Sequence, residues 1–305
     1  MTENQSPQFH GIIPPVVTPL VDAEHLDEKG LERLIEHLIA GGVHGLFMLG
    51  TTGEAPSLDD DLQRQLIERT CLLVGDRLPV LMGISNTSLK KSIDAAKVAA
   101  DNGCAAVVAA APYYMPLEQS ELVGYFRQLA AEVPLPLVLY NFPLLTKVSF
   151  EPETLVQLLD EPNIVGIKDS SGDLDYFARI VAVAKQRPGF RLLAGKEVNL
   201  ADIIELGGHG GVTGGANVWP RLFVDLYDAA VARNSMRVAE LAPQVVELGK
   251  IYAVAGNHFS AGIAGIKMAL EVLGICGSTL AQPIQPVTAE DKEHIKEIMS
   301  SLNIS

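Results

Sequence analysis

The segment Asn163-Ile164-Val165-Gly166-Ile167-Lys168 carries the pattern that decides the fold. It is short and apolar at successive positions, so both faces of the strand that it forms must be covered. Such strands are typical of parallel sheets with helices on one side and a packed interior on the other. Seven more runs of this kind, each bounded by Gly, Pro or Asp, occur at residues 11–17, 44–49, 79–84, 105–110, 136–141, 190–195 and 210–213.

The spacing of these runs indicates how they are connected. Their starts run from residue 11 to residue 210, a mean step of about 28 residues, which is the length of one strand-helix unit. Helical periodicity fills the intervals, for example at residues 28–40 and 118–131. Eight such units predict an α/β fold, a closed (β/α)8 TIM barrel, while an open doubly wound sheet is also compatible with the periodicity alone. Serines that can cap helices stand near several expected starts, at Ser57, Ser88, Ser120 and Ser170.

The chain divides into two predicted regions. Residues 1–233 hold all eight apolar runs and are expected to form the barrel. Residues 234–305 show helical patterns at 236–254, 260–273 and 288–302 and no further strand. Because no low-complexity segment or flexible linker separates the two, the C-terminal helical region is expected to pack on the barrel.

Composition and charge exclude several classes of partner. The 305 residues include 23 Lys and Arg against 37 Asp and Glu, and the net charge of −14 has the wrong sign for binding nucleic acid. Cys71, Cys104 and Cys276 are odd in number and far apart, as in proteins of a reducing compartment. The first ten residues are polar, and prolines interrupt the first apolar run, so neither a signal peptide nor a membrane helix is expected. We therefore predict a cytoplasmic protein with no membrane partner.

Lys168 is the strongest candidate for a catalytic residue. Active sites of such barrels lie at the carboxyl ends of the strands, and Lys168 ends the sixth run. Desolvation there would lower the pKa of its amine and produce the neutral nucleophile that forms a Schiff base with a ketone. By strand alternation Gly166 lies on the same face and is expected to leave room beside the lysine. The alternative is an ion pair with Asp169 or Glu197.

Other strand ends offer groups that could support this chemistry. Tyr140 ends the fifth run and could shuttle protons or simply form an aromatic lid. The loop from Gly50 to Gly53 provides backbone N–H groups and two hydroxyls that could hold a carboxylate or phosphate. Six glycines within residues 207–215 favour close backbone approach to substrate, or packing, over a dinucleotide or phosphate site. No metal is expected, because the histidines lack ligand spacing and His44 and His209 begin strands, at the opposite end of the barrel.

Taken together, the chain resembles the dihydrodipicolinate synthase/N-acetylneuraminate lyase family of class I, lysine-dependent aldolases. The similarity covers most of the chain and rests on six motifs that occur in the family's order. They are residues 11–19 (GIIPPVVTP), 50–54 (GTTGE), 112–114 (PYY), 140–143 (YNFP), 166–169 (GIKD) and 207–210 (GGHG).

The resemblance implies a function and a role for each matching residue. Members condense or release pyruvate through a lysine imine, usually as homotetramers built as dimers of dimers, with a small aldehyde or keto acid as the other substrate and without a metal or other cofactor. Lys168 matches the Schiff-base lysine and Tyr140 the proton-shuttling tyrosine. The remaining matches are Gly50, Thr51 and Thr52 for the pyruvate carboxylate, with Thr51 also relaying protons, Tyr114 for a tyrosine inserted by a neighbouring subunit, and Gly195 and Val212 for the pocket wall.

One position departs from the synthase pattern. Dihydrodipicolinate synthases share an arginine that holds the carboxylate of the aldehyde partner. At the matching position this chain has Leu145, and Lys147 is nearby in the sequence. Sialic-acid lyases have a motif after the seventh strand that hydrogen-bonds the sugar chain. Of that motif, this chain retains only Gly195 and an acidic residue, Glu197. The sequence looks most like aldolases of 2-keto-3-deoxy sugar acids. The synthase, the sialic-acid lyase and a non-catalytic keto-acid sensor barrel are the alternatives.

Overall fold

Strands and helices alternate through the barrel part of this computed structural model, which describes residues 9–304. All eight predicted strands are present. Seven lie inside their apolar runs and are shorter than them, whereas the sixth extends one residue beyond its run, to Asp169. The elements are β1 (Gly11–Ile12), α1 (Glu28–Ala40), β2 (Leu46–Met48), α2 (Asp60–Val74), β3 (Val80–Gly83), α3 (Leu89–Asp101), β4 (Ala106–Ala110), α4 (Gln119–Glu132), β5 (Leu137–Asn141), α5 (Pro143–Thr146), α6 (Pro152–Leu158), β6 (Ile164–Asp169), α7 (Leu174–Ala184), β7 (Arg191–Ala194), α8 (Leu200–Leu206), β8 (Gly210–Gly211), α9 (Pro220–Val231), α10 (Ser235–Leu248), α11 (Phe259–Val272) and α12 (Ala289–Ser301).

The eight strands form one parallel sheet that closes on itself. Each strand pairs with its neighbours in the order β1-β8-β7-β6-β5-β4-β3-β2. A parallel bridge between Pro15 and Phe47 joins the end of β1 to β2, with Phe47 N donating to Pro14 O over 3.0 Å. The predicted TIM barrel is therefore confirmed, and the open doubly wound sheet is excluded.

Glycines let β1 and β8 approach each other at the closure. Gly11 pairs with Gly210, and a Cβ on Gly210 would lie 2.1 Å from the carbonyl oxygen of Gly11. This close backbone approach agrees with the role predicted for the glycine-rich residues 207–215. His44 and His209 accept from the backbone N–H groups of Ile12 and Leu192 at the amino end of the barrel, each over 3.1 Å, as their strand-start positions predicted.

Two apolar cores follow from the two covered faces of the strands. An inner cluster fills the barrel, and a larger outer one lies between the sheet and the helices. The helix α1 shows how a sequence builds the outer core, since Leu31, Leu34 and Leu38 share one stripe and are fully buried. Its start is fixed by Asp27, whose carboxylate accepts from the N–H of Gly30 over 2.8 Å.

Residues of the C-terminal helical region contact residues of the barrel. Arg33 of α1 donates from Nε to the carbonyl oxygen of Ile275 over 2.6 Å, and Glu54 beyond β2 forms an ion pair with Lys267 of α11. The helix predicted over residues 236–254 ends earlier, because α10 stops at Leu248 and continues as a tighter 3₁₀ turn over Gly249–Ala253. A domain boundary at residues 233–234 stays a prediction. Among the described residues, no helix combines the length and the apolar character needed to cross a membrane.

Candidate active site

A cavity of about 740 Å³ opens at the carboxyl ends of the strands, where the sequence placed the site. It extends from the end of β2 to the short helix α5 after β5. Side chains from four consecutive strand ends reach it, including Phe47, Thr51, Ser85, Tyr113, Tyr140 and Leu145.

Lys168 is buried beside two aromatic rings that line this cavity, those of Tyr140 and Phe47. Its side chain is 4% exposed, and Nζ lies 4.1 Å from the centre of the Tyr140 ring and 4.9 Å from that of Phe47. Burial alone lowers the pKa of its amine from 10.5 to about 7. A substantial fraction of Lys168 is therefore a neutral nucleophile at neutral pH.

The ion pair that would have given Lys168 a purely structural role does not form among residues 9–304. Asp169 instead accepts from Asn141 Nδ2 over 2.7 Å and from Ser171 Oγ over 2.8 Å. Glu197 accepts from the N–H of Gly215 over 3.0 Å. Burial raises the pKa of both carboxyl groups. Each acid therefore serves to fix a loop and leaves the lysine unpaired.

The space around the lysine comes from Gly195, not from Gly166 as predicted. A Cβ on Gly166 would lie 2.5 Å from the carbonyl oxygen of Arg191, so this glycine serves the approach of β6 to β7. A Cβ on Gly195 would lie 2.0 Å from Ser170 Oγ and 3.4 Å from Lys168 Cε. Gly195 thus borders the Lys168 side chain, and its role as a pocket residue stays a prediction.

Tyr140 is a buried phenol beside the lysine. It stacks on Phe142 with ring centres 5.6 Å apart, and it is 5% exposed. Burial raises its pKa to about 12, against the hydrogen-bonding influence of Ser170 and Thr51. At neutral pH the hydroxyl is therefore protonated and able to donate, with Thr51 as a neighbour for a proton relay.

The Gly-Thr-Thr-Gly loop after β2 is held in a tight shape. Thr18 donates from Oγ1 to the carbonyl oxygen of Gly53 over 2.7 Å, and a Cβ on Gly53 would lie 2.9 Å from the carbonyl oxygen of Val16. Leu49 and Glu54, on either side of the loop, have left-handed backbones with φ of 55° and 59°. Gly50 and Thr51 line the cavity, and the side chain of Thr52 is half-buried beside them.

Two further predicted site residues, Leu145 and Val212, lie in different environments. Leu145 on α5 lines the cavity and is 40% exposed, whereas Val212 is buried in the inner core directly after β8. Lys147 is exposed and donates from Nζ to the carbonyl oxygen of Leu144 over 2.6 Å. Lys196 is likewise exposed. Neither lysine lines the cavity in the position that an arginine at residue 145 would occupy.

Tyr114 is a predicted site residue that does not line the cavity of its own chain. Its side chain is 93% exposed and its backbone has a φ of 83°, which is unfavourable for a residue with a side chain. The neighbouring Tyr113 lines the cavity of its own chain. Tyr114 is therefore displayed outward at the edge of the site.

Sequence reasoning missed several residues around the site. Phe47, which faces Lys168, and the cavity residues Ser85 and Asn86 had no signal beyond their places at or after strand ends. Lys267, by contrast, carries a sequence signal for a buried partner. It interrupts the apolar run of α11 between Ile266 and Met268, and a lysine within a buried stripe requires a partner.

Comparison with known proteins places the chain in a family. A sequence model described as the dihydrodipicolinate synthetase family matches residues 8–302. The chain is 31% identical to the 4-hydroxy-tetrahydrodipicolinate synthase of Methanopyrus kandleri, over 97% of each chain. It is 33% identical to the probable 2-dehydro-3-deoxy-D-pentonate aldolase YjhH of Escherichia coli, over 97% of this chain and 98% of that one.

The fold agrees with the sequence comparison. The structure of dihydrodipicolinate synthase from Bacteroides thetaiotaomicron matches with a TM-score of 0.92 and 44% identity, over 96% of this chain and 98% of that one. The named relatives include both a synthase and a sugar-acid aldolase, so what they share is the family and not one substrate. The resemblance seen in the sequence is confirmed: the chain belongs to the dihydrodipicolinate synthetase family and is a lyase.

Proposed function

We propose that this protein is a class I aldolase that forms or cleaves a carbon–carbon bond to pyruvate through an imine on Lys168, and that its substrate is a 2-keto-3-deoxy sugar acid. The observation that carries the mechanism is the burial of Lys168 without a carboxylate partner, which lowers the pKa of its amine to about 7. An ordinary lysine at neutral pH would be protonated and unreactive toward a ketone.

The first step binds and activates the keto acid. The loop residues Gly50, Thr51 and Thr52 hold the carboxylate with backbone N–H groups and hydroxyls. The neutral Nζ of Lys168 then adds to the keto carbon, and loss of water gives a protonated imine. Tyr140 and Thr51 move the protons that addition and water loss require. Gly195 and Val212 form part of the wall of the keto-acid pocket.

The second step breaks the carbon–carbon bond. Tyr140, after passing its proton through Thr51, accepts the proton of the substrate's C4 hydroxyl while the bond between C3 and C4 breaks. The bonding electrons move into the imine, which becomes an enamine, and the aldehyde leaves. Protonation of the enamine at C3 and hydrolysis release pyruvate and regenerate Lys168. The imine is the electron sink, so the scheme requires no metal or other cofactor.

Leu145 favours a sugar acid over a substrate with a second carboxylate. Its apolar side chain lines the cavity where a synthase would need a cation for the carboxylate of its aldehyde partner. Leaving that carboxylate unpaired forgoes a charge-assisted contact of about 1.5–3 kcal/mol, a factor of about ten to a hundred or more in kcat/KM. A sugar-derived aldehyde presents hydroxyls there, which neutral groups such as Thr146 and Ser170 can meet.

A side-by-side assay tests this choice. Pyruvate release from a panel of 2-keto-3-deoxy sugar acids is compared with condensation of pyruvate and aspartate semialdehyde. We expect cleavage of a sugar acid to have the higher kcat/KM, and Leu145→Arg to shift the ratio toward condensation. Leu144→Arg is the matched control, because Leu144 is 59% exposed and does not line the cavity.

The outcomes separate the competing functions. Preference of the wild type for aspartate semialdehyde would restore the synthase, with another cation in the role of the arginine. Preference for N-acetylneuraminate would favour the sialic-acid lyase. Imine formation without turnover of any substrate would favour the keto-acid sensor.

The assembly and location belong to the same proposal. We expect a homotetramer, a dimer of dimers, in which Tyr114 enters the site of a neighbouring subunit and joins the proton relay of Tyr140 and Thr51. The outward display of Tyr114 supports this arrangement. We expect the enzyme in the cytoplasm, with small-molecule substrates and with neither nucleic acid nor a membrane as a partner.

A further inference from the structure

A buried ion pair connects the carboxylate-binding loop to the C-terminal helical region. Glu54 directly follows the Gly-Thr-Thr-Gly loop, and its Oε1 pairs with Nζ of Lys267 on α11. Both side chains have no exposed surface. Glu54 Oε2 also accepts from the N–H of Ala281 over 2.7 Å, and Lys267 Nζ donates to the carbonyl oxygen of Thr279 over 2.6 Å. Of these four residues, only Glu54 lies outside the C-terminal region.

General packing does not account for this arrangement. Burying two charges carries a large desolvation penalty, and apolar residues of similar size usually stabilise a core as well or better. Lys267 is surrounded on its helix by Ile263, Ala264, Ile266 and Met268, all buried, so an apolar residue would suit the position. The stability of the core therefore does not explain the pair, and the segments that the pair connects are the better explanation.

The pair acts on the backbone of the loop. Glu54 has a left-handed φ of 59°, which is unfavourable for a residue with a side chain and requires support. Its N–H donates to the carbonyl oxygen of Thr51 over 3.1 Å, and the N–H of Ala55 donates to that of Gly50 over 3.4 Å. Any displacement of Glu54 is thus passed directly to Thr51.

We infer that the Glu54–Lys267 pair is a positioning element for keto-acid binding: it holds Gly50–Gly53 in the shape that receives the substrate carboxylate, and so makes the C-terminal region necessary for that step. This inference rests on the proposed function. Neither residue lines the cavity, so the pair acts through the loop and takes no part in the bond-making chemistry.

The test separates carboxylate binding from the reactivity of Lys168. Purified variants are incubated with increasing pyruvate, reduced with borohydride, and the fraction of chain labelled at Lys168 is measured by peptide mass spectrometry. The same titration with hydroxyacetone, a ketone without a carboxylate, reports the lysine alone. In Glu54→Gln and Lys267→Met we expect the half-saturating pyruvate concentration to rise about tenfold or more, as for loss of a charge-assisted contact. The half-saturating hydroxyacetone concentration should stay within about twofold of the wild-type value.

Two further variants calibrate the effect. Lys292→Met breaks the Glu271–Lys292 pair, 2.6 Å long, which joins α12 to α11 without reaching the loop. It should leave both titrations unchanged. Thr52→Val alters the carboxylate cradle directly and should raise the half-saturating pyruvate concentration as the pair variants do.

The result that overturns the inference is an unchanged pyruvate titration in variants whose circular dichroism is that of the wild type. An equal rise for both ketones would also overturn it, because that pattern indicates a general loss of site structure. If the single variants do not fold, the double variant Glu54→Gln/Lys267→Met, which leaves no unpaired charge, is judged by the same criteria. Failure of the wild type to be labelled by pyruvate would instead contradict the proposed function.

Discussion

At neutral pH an exposed lysine is almost entirely protonated, whereas Lys168 has a pKa of about 7 because Tyr140 and Phe47 cover it. The folded chain therefore releases a proton that the unfolded chain, with a pKa near 10.5 at this residue, keeps. Between these two values the unfolded state binds more protons, so the contribution of Lys168 makes the fold more stable as the pH rises through this window. Below it, the buried charge destabilises the fold.

The same shift fixes the expected pH dependence of catalysis. Protonated Lys168 cannot attack a ketone, so kcat/KM should fall about tenfold per pH unit below a pKa of about 7 and level off above it. Initial rates of pyruvate release from about pH 5 to about pH 10 measure this profile. An acid limb with an apparent pKa near the ordinary lysine value would contradict the burial of this amine, since the amine would then be solvated.

At the scale of elements, the sequence located the strands and the loops that follow them, because burial on both faces and a regular spacing are local patterns. It could not reveal how neighbouring strands align. The register between β5 and β6 shifts at Leu137 and Val138. On the other side of β6, Gly166 pairs with Arg191 of β7, and a Cβ on Gly166 would meet that backbone and not the lysine. For the same reason, a local pattern cannot identify contacts between distant parts of the chain, such as that of Glu54 with Lys267.

Helix starts show a second limit of local patterns. Serines were expected near several starts, yet α2 and α7 are capped by Asp59 and Asp173, whose carboxylates accept from backbone N–H groups over 2.7 and 2.9 Å. An acidic side chain serves as well as serine at this position and also interacts favourably with the helix dipole. Ser88 does occupy the N-cap of α3, although its side chain makes no capping hydrogen bond.

The barrel closure provides a test at this scale. In Gly210→Ala the new methyl group meets the backbone of Gly11, which cannot move without separating β1 from β8. We expect the free energy of unfolding to fall by about 3 kcal/mol or more, measured by urea denaturation. Gly124→Ala in α4 is the control, because nothing lies within 4 Å of its Cβ, and it should gain about 0.5–1 kcal/mol. Equal effects of the two substitutions would contradict the close-approach explanation.

For the whole molecule, the question is whether one chain holds a complete site. Lys168, Tyr140 and Thr51 come together within the barrel, but Tyr114 projects from it with 93% of its side chain exposed. A pattern within one chain cannot reveal what an exposed tyrosine contacts in an assembly, since that depends on a second copy. The role of Tyr114 therefore rests on the family resemblance together with its outward display.

Mixed assemblies test whether Tyr114 acts in the site of another subunit. We expect Lys168→Ala to be inactive and Tyr114→Ala to lose about a hundredfold or more in kcat, as for loss of a proton-relay group. Co-expression of the two variants should restore part of the activity, because some sites then combine an intact Lys168 with a neighbour's intact Tyr114. Light scattering checks that the assemblies are tetramers. If co-expression yields no more activity than the sum of the parents, Tyr114 does not act between subunits.

The imine on Lys168 is the claim on which the rest depends, and borohydride reduction in the presence of pyruvate tests it most directly. We expect one 1-carboxyethyl adduct per chain, located on Lys168 by peptide mass spectrometry and absent from a folded Lys168→Ala variant. An adduct on a different lysine, or no adduct at saturating pyruvate, would contradict the Schiff-base mechanism.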